Sequence, residues 1–231
     1  MIYSVLLAAG SGSRMGAAVP KQFLEIGGQS ILEIVLDKFS SFYKIEHTVV
    51  VGSKLWYEKT ESIVKKYGEE KFSVCTGGSS RQESLYCGLK YLKNKFKIKD
   101  DDIVVTHDVA RPFITFRMIE DNIRICQEYG AADTVVPCVD TIIKSNNGEI
   151  LESVPIRSKL YLGQTPQTFY INKFVEIFEK LDKSYLDTVT DAAKILSEHE
   201  VNVGLVLGDY SNFKITSQFD LSVAKSMIEH E

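Results

Sequence analysis

A chain of 231 residues with 44% hydrophobic and 25% charged side chains has the make-up of one globular domain built on a single core. Its formal net charge of −4 excludes bulk attraction to nucleic acid or to an acidic membrane, so any polyanion site has to be built locally. No apolar run approaches the ~20 residues that span a bilayer, and the N-terminus lacks the basic region and cleavage site of a signal peptide. Cys75, Cys87, Cys126 and Cys138 have no metal-ligand spacing and sit in or beside apolar segments, which points to reduced core thiols in a cytoplasmic protein.

Tyr3 to Ala8 is a short continuous apolar run, as in a strand covered on both faces. It runs into LLAAGSGSRMGAAVPKQFL, Leu6 to Leu24, which carries Gly10, Gly12 and Gly16 together with Arg14 and Lys21. Glycines let backbone N–H groups approach an anion with no Cβ in the way, and successive N–H groups after a strand form a nest for phosphate oxygens. A guanidinium and an ammonium close by take up the remaining phosphate charge. The stretch reads either as a nucleoside-triphosphate loop or as a tight strand-to-helix turn with two solvated cations. The dinucleotide fingerprint is excluded because Met15 stands where its third glycine belongs, and the Walker loop because Ala17 follows Gly16.

Ser30 followed by Glu33 is a capping-box signature, and Ile31, Leu32, Val35, Leu36 and Phe39 form one helical stripe. His47–Gly52 is predicted as a buried strand, Leu55–Tyr67 as a helix and Phe72–Thr76 as a third strand. Gly77-Gly78 then opens a helix through SSRQESLYCGLKYLKN. A fourth strand, Asp102–Thr106, leads into HDVARPF, a helix over Arg117–Tyr129 and a strand over Ala131–Val139. Strands alternating with helices predict a βαβ series around a parallel sheet. Thr141–Leu162 breaks the pattern: Asn146-Asn147-Gly148 is a turn signal between β-prone arms, so a projecting hairpin is expected. Isolated hairpins are marginal in water, and a second subunit is the natural surface for it to pack on. The chain re-enters through GQTPQTF, with helices near Asn172–Leu181 and Thr190–His199, a strand at Asn202–Leu207, the segment NFKIT and a last helix from about Gln218.

Ligands of open α/β sheets sit at the carboxyl ends of the strands. After the first strand come the glycine loop, Arg14 and Lys21; after the third, Gly77, Gly78, Ser79, Arg81 and Ser84; after the fourth, Asp108 and Arg111. Asp140, Thr141, Thr165 and Lys214 follow later. Gly77-Gly78 admits a flat ring or phosphate, with Ser84 near a base or ribose, or is an ordinary turn and N-cap. Asp108 is placed either to hold a hard divalent cation beside substrate phosphates or to pair with Arg111. His107 reads as structural, and Lys214 by itself as a solvated lysine. The Asp108/Asp140 pair resembles a glycosidase pair, but the cations around a glycine loop favour phosphate.

Taken together, LAAGSGSRMG, PKQFL, GGSSRQES, HDVARPF, Asp140-Thr141, GQTPQTF, Thr190-Asp191 and NFKIT resemble the cytidylyltransferases that activate sugar-alcohol phosphates, over essentially the whole chain. That family includes the methylerythritol-phosphate enzymes of isoprenoid synthesis and the ribitol-5-phosphate enzymes. The resemblance implies an α/β fold: a Rossmann-like nucleotidyltransferase domain over residues 1–231, a mostly parallel sheet with helices on both faces, and a β-hairpin arm at about 141–162 that makes a homodimer. It implies CTP bound by Leu7, Ala8, Ala9, Gly10, Gly12, Gly78, Ser79 and Ser84, with Arg14, Lys21 and Lys214 as catalytic cations. Asp108, beside Mg²⁺ or another divalent cation, is implied to meet the polyol phosphate together with Val109, Arg111, Thr141, Arg157, Thr165 and Thr190. Arg157 would reach the partner subunit's site. No nucleic-acid or membrane partner is implied. VPIRSKLYLGQTPQTF and VTDAAKIL resemble the ribitol branch more than the methylerythritol branch, so ribitol 5-phosphate is the expected acceptor. Val109, where the family commonly has a small residue, departs from the pattern. The rival readings are the methylerythritol 4-phosphate enzyme, a nucleotidyltransferase for UTP or an aldose 1-phosphate, and a regulatory nucleotide-binding protein.

Overall fold

The computed structural model describes residues 1–10, 19–186, 188–189 and 191–229. Gly12, Arg14 and Thr190, expected at the site, lie outside the described residues. A seven-stranded sheet runs through the molecule. Its strands are β1 (Ile2–Ala8), β4 (His47–Gly52), β5 (Phe72–Thr76), β6 (Ile103–Asp108), β7 (Ala131–Pro137), β8 (Tyr161–Tyr170) and β9 (Val203–Leu207). They lie in the order β5-β4-β1-β6-β8-β7-β9. A separate two-residue pair, β2 (Glu25–Ile26) with β3 (Gln29–Ser30), precedes the first helix.

The apolar runs do what their pattern predicts. Every residue of β4 and of β6 is buried, as in strands covered on both faces. One face is covered by α1 (Ile31–Ser40), α2 (Tyr57–Val64), α4 (Phe116–Tyr129) and α8 (Gln218–Glu229), and the other by α3 (Arg81–Lys95), α5 (Ile171–Phe178) and α7 (Ala192–Ser197). A short α6 (Lys183–Leu186) links α5 and α7. Ser30 caps α1 in a complete capping box with Glu33, and the stripe Ile31, Leu32, Val35, Leu36 and Phe39 is buried as expected. Each such side chain contributes about 1.5–3 kcal/mol by leaving water. Gly88 lets α3 approach the sheet: a Cβ there would lie 2.8 Å from Val5 and 2.9 Å from Val51.

Two segments differ from what their sequence pattern suggests by itself. The segment GQTPQTF, through which the chain re-enters and which the sequence assigns to no element, is part of β8, which runs antiparallel to both β6 and β7 inside the sheet. Pro166 and three polar neighbours argue against a central strand, since proline cannot donate to a ladder; the register slip between Asp133 and Val135 accommodates it. The expected hairpin of the arm forms with minimal pairing. It holds one antiparallel bridge, Lys144 to Ser153, while the Asn147 side chain accepts from Glu149 N–H and Ile150 N–H at the tip. Its flanks bury no face of their own, so regular pairing has little to offset the entropy of ordering it.

All the parallel strands end at one edge. The chain moves from β1 outward to β4 and β5, then returns to the other side of β1 as β6, so the order reverses between β1 and β6. The turn after β6 is held by a buried relay. Asp108 N–H donates to Thr165 Oγ1 at 3.2 Å, Thr165 O–H donates to His107 Nδ1 at 2.9 Å, and His107 Nε2–H donates to the Arg111 carbonyl at 2.9 Å. Carbonyl and N–H at the two ends leave only one direction for the protons, so the imidazole is the neutral Nε2–H tautomer.

Burial holds the His107 pKa down to about 4. The folded protein therefore excludes a proton that the unfolded chain binds below about 6.5, and stability from this group is present above that pH and lost as pH falls toward about 4. Urea unfolding of wild type and His107→Asn from pH 7.5 to 4 isolates it. The stability difference between the two should shrink by about 3 kcal/mol across that window; a difference independent of pH would show that His107 is not held neutral.

Candidate active site

A cleft of about 450 Å³ opens at the reversal between β1 and β6. Leu7, Ala8, Ala9 and Gly10 bring in the end of β1; Gly78, Ser79, Arg81 and Ser84 the start of α3; Asp108 and Val109 the end of β6; Lys21, Lys214 and Thr216 two further segments. The residues expected after the separate strands thus converge on one wall. Gln22, buried behind them, donates from Nε2 to the Ala8 carbonyl at 2.7 Å and ties the far side of the glycine loop to β1. Lys21 Nζ donates to the Ile215 carbonyl at 3.0 Å, which links that segment to NFKIT.

Gly77 is needed here because a Cβ would lie 2.7 Å from Ser84 Oγ and 3.0 Å from the Ala9 Cβ. The backbone of the α3 entry can therefore lie flat against β1. Ser80 caps α3 by accepting from Glu83 N–H at 3.1 Å, and Glu83 in turn accepts from Ser79 N–H at 2.8 Å. The helix entry is thus fixed by its own side chains, with its N-terminal partial charge facing the cleft.

Asp108 is the centre of charge. Arg81 donates to its Oδ1 from Nε at 3.0 Å and from Nη2 at 2.9 Å, and Lys214 Nζ donates to Oδ2 at 2.7 Å. The Asp108 side chain is 9% exposed. Burial by itself would raise its pKa, but the Arg81 and Lys214 charges outweigh it and hold the carboxyl well below its ordinary range. Below the unfolded value of 3.8 that contribution to stability begins to be lost, so the trio stays ionised at any neutral or mildly acidic pH.

Arg111, the alternative reading's partner for Asp108, makes no ion pair with it. Arg111 donates instead to the Asn212 carbonyl at 2.9 Å and the Gly163 carbonyl at 3.3 Å, locking the turn against β8 and NFKIT. Arg81 takes the role, and its place in the first turn of α3 after GGSS was the signal for it. Thr165 is buried with its hydroxyl committed to the Asp108–His107 relay, so it supports the site from beneath. The Val109 side chain packs into the core below β6, 1% exposed. Thr141 and Arg157 are on the exposed arm, away from the cleft lining, and Arg157 donates to the Val139 carbonyl at 3.0 Å. All four cysteines are free thiols, and no described helix is long and apolar enough to cross a membrane.

A family model described as 2-C-methyl-D-erythritol 4-phosphate cytidylyltransferase (IspD) matches residues 2–230. A ribitol-5-phosphate cytidylyltransferase of Lactiplantibacillus plantarum is 42% identical over 231 residues, spanning 99% of both chains. The solved 2-C-methyl-D-erythritol 4-phosphate cytidylyltransferase of Francisella tularensis superposes with a TM-score of 0.82 at 27% identity, covering 97% of this chain and 98% of that one. A 4-diphosphocytidyl-2C-methyl-D-erythritol synthase of Anaerococcus prevotii does so with a TM-score of 0.81 at 28% identity, covering 99% and 98%. The cleft lies at the strand-order reversal of a fold shared end to end with these enzymes, and the chain belongs to the IspD cytidylyltransferase family.

Proposed function

We propose that this protein transfers CMP from CTP to D-ribitol 5-phosphate, releasing pyrophosphate and forming CDP-ribitol. The observation that carries the transfer is the cleft itself: a glycine-bearing strand end and a capped helix entry facing Asp108, Lys21 and Lys214. The acceptor follows from the full-length ribitol-5-phosphate relative, which is closer in sequence than the methylerythritol enzymes named above.

An acceptor phosphate oxygen attacks the α-phosphorus of CTP in line, and the bond to the β-phosphate oxygen breaks. The attacking acceptor oxygen is already ionised near neutral pH, so the step needs no base. His107 is accordingly neutral and has both ring nitrogens occupied within the fold. Catalysis is then positioning and charge stabilisation. Leu7 to Gly10, with Gly12 in the loop, Gly78, Ser79 and Ser84 hold the base, ribose and phosphate backbone. Arg14, Lys21 and Lys214 meet the charge that develops on the transferred and leaving groups. Thr190 flanks the acceptor, Thr141 joins it from the arm of a second copy, and Arg111 and Thr165 brace the turn that carries Asp108.

Among the described residues no group of three or more His, Cys, Asp or Glu side chains is arranged to hold a metal. Asp108 Oδ2 accepts one hydrogen bond and keeps a lone pair. This fits Mg²⁺, whose shell in phosphate sites is largely phosphate and water with one or two carboxylates. When bound there, the ion neutralises charge on the triphosphate, with Asp108 as its protein ligand.

The arm supports a homodimer. Val139, Ile143, Ile150, Leu151, Val154 and Ile156 are all more than half exposed within 18 consecutive residues, an apolar patch that calls for a partner. The partner is a second copy, whose Arg157 supplies a cation for the acceptor's phosphate.

Pyrophosphate release from CTP and Mg²⁺ should be much faster with ribitol 5-phosphate than with methylerythritol 4-phosphate. The reverse order would reassign the acceptor, and release with neither would make this a nucleotide-binding protein. Arg157→Ala and Lys21→Ala homodimers should each be nearly inactive, yet equal mixing after subunit exchange should restore about a quarter of wild-type turnover, since half the dimers then hold one intact site. No recovery would show that the arm serves its own subunit.

A further inference from the structure

Beyond the Asp108 edge of the cleft, the same face of the sheet carries a second row of polar groups with no assigned role. Asp133 on β7 accepts at Oδ1 from Gln167 Nε2 at 2.9 Å, and Gln167 Oε1 accepts from Ala192 N–H at 3.4 Å. Gln167 stands opposite both Asp133 and Thr106 in register, so Asp133 lies two strands from β6, level with Thr106 and two residues short of Asp108 along it. Two strand spacings are about 10 Å, the scale of a short polyol chain.

Two groups in the first turn of α3, which reaches Asp108 through Arg81, have hydrogen-bonding capacity unused. Arg81 holds Asp108 through Nε and Nη2, while its Nη1 is buried and has no partner. Gln82 is 1% exposed, yet neither its Oε1 nor its Nε2 has a partner. It lies on the helical stripe of Leu85, Leu89 and Leu92, which packs against this face of the sheet. A buried unpaired amide costs free energy that an apolar side chain would not, so its presence asks for a ligand.

Building on the polyol-phosphate reading above, we propose that Asp133, Gln82 and the free edge of Arg81 recognise hydroxyls along the acceptor chain, with Asp133 the specificity-determining residue. A carboxylate accepts only, a guanidinium donates only, and an amide does both, which matches hydroxyls that need each in turn. Ribitol 5-phosphate has one more hydroxyl than methylerythritol 4-phosphate and no methyl branch. A site built to bond a hydroxyl rejects an analogue that lacks it, because the protein group is left buried and unpaired.

The electrostatic setting of Asp133 agrees. Burial raises its pKa, the Gln167 hydrogen bond opposes this, Asp191 raises it further, and Arg81 and Arg111 oppose; the balance lies at about 6. Asp133 is thus ionised, and able to accept two hydroxyls, above about pH 6, and loses that capacity below it.

The test is steady-state kinetics of wild type, Asp133→Asn and Gln82→Leu with both acceptors from pH 5.5 to 8. Asp133→Asn keeps an acceptor oxygen for Gln167 but loses the charge. At pH 7.5 it should lose about tenfold or more in kcat/KM for ribitol 5-phosphate, lower the preference over methylerythritol 4-phosphate by a similar factor, and leave KM for CTP within about twofold. The substrate phosphate also titrates near pH 6, but equally for both proteins, so the ratio of wild type to variant isolates Asp133: it should fall toward one below pH 6. Gln82→Leu should raise KM for the acceptor and not for CTP. Unchanged selectivity with parallel pH profiles in Asp133→Asn, or equal losses for CTP and acceptor, would overturn this inference and leave the function standing. A wild type that turns over no polyol phosphate would overturn both.

Discussion

The site depends on one carboxylate shared by two cations. Asp108 ends β6, Arg81 begins α3 and Lys214 lies in the segment before α8, so a single group fixes three parts of the chain 27 and 106 residues away from it. Taking these charges out of water is expensive, and the geometry offsets the cost only because both oxygens are engaged. Removing the carboxylate would leave two like charges side by side in a part-buried cleft with nothing to compensate them. The His107–Thr165 relay underneath has the same purpose from below. It fixes the backbone of Asp108 through a neutral imidazole, so no extra charge competes with the trio.

The fold makes that sharing possible. Because β6 returns to the far side of β1, the end of β6 faces the start of α3 across the cleft. Gly77 and Gly88 let α3 sit close enough to the sheet for Arg81 to reach Asp108. The antiparallel β8 then carries Gly163, Thr165 and Gln167 to the same edge, where they hold Arg111, the turn and Asp133. The cations of the cleft and the polar groups around Asp133 therefore lie on one face of the sheet.

Much of this was legible in the chain, for identifiable reasons. The buried strands β1, β4 and β6 are continuous apolar runs, and the Ser30–Glu33 capping box announces α1 directly. Local chemistry of that kind needs no tertiary context. What failed did so where context decides. β8 is polar and contains Pro166, so its central place comes from pairing on both sides and not from its own pattern. The Thr141–Leu162 region carries a clear turn signal, and the turn forms, but β-prone arms with nothing to bury against pair at a single bridge. Asp108 pairs with Arg81 and not with Arg111, its near neighbour in sequence, because the turn rotates the Arg111 side chain toward Asn212 and Gly163. The unpaired amide of Gln82 has no sequence signal at all; it emerges only once the packing around α3 is known.

The central claim is that Asp108 acts through the two cations it holds. A double-mutant cycle on the rate of pyrophosphate release, with Asp108→Asn, Lys214→Met and the pair, tests it most directly. If the carboxylate works by positioning Lys214, each single change should cost most of what the double change costs, and the two effects should fall well short of additive. Fully additive losses would show that Asp108 and Lys214 act independently, and would contradict the account.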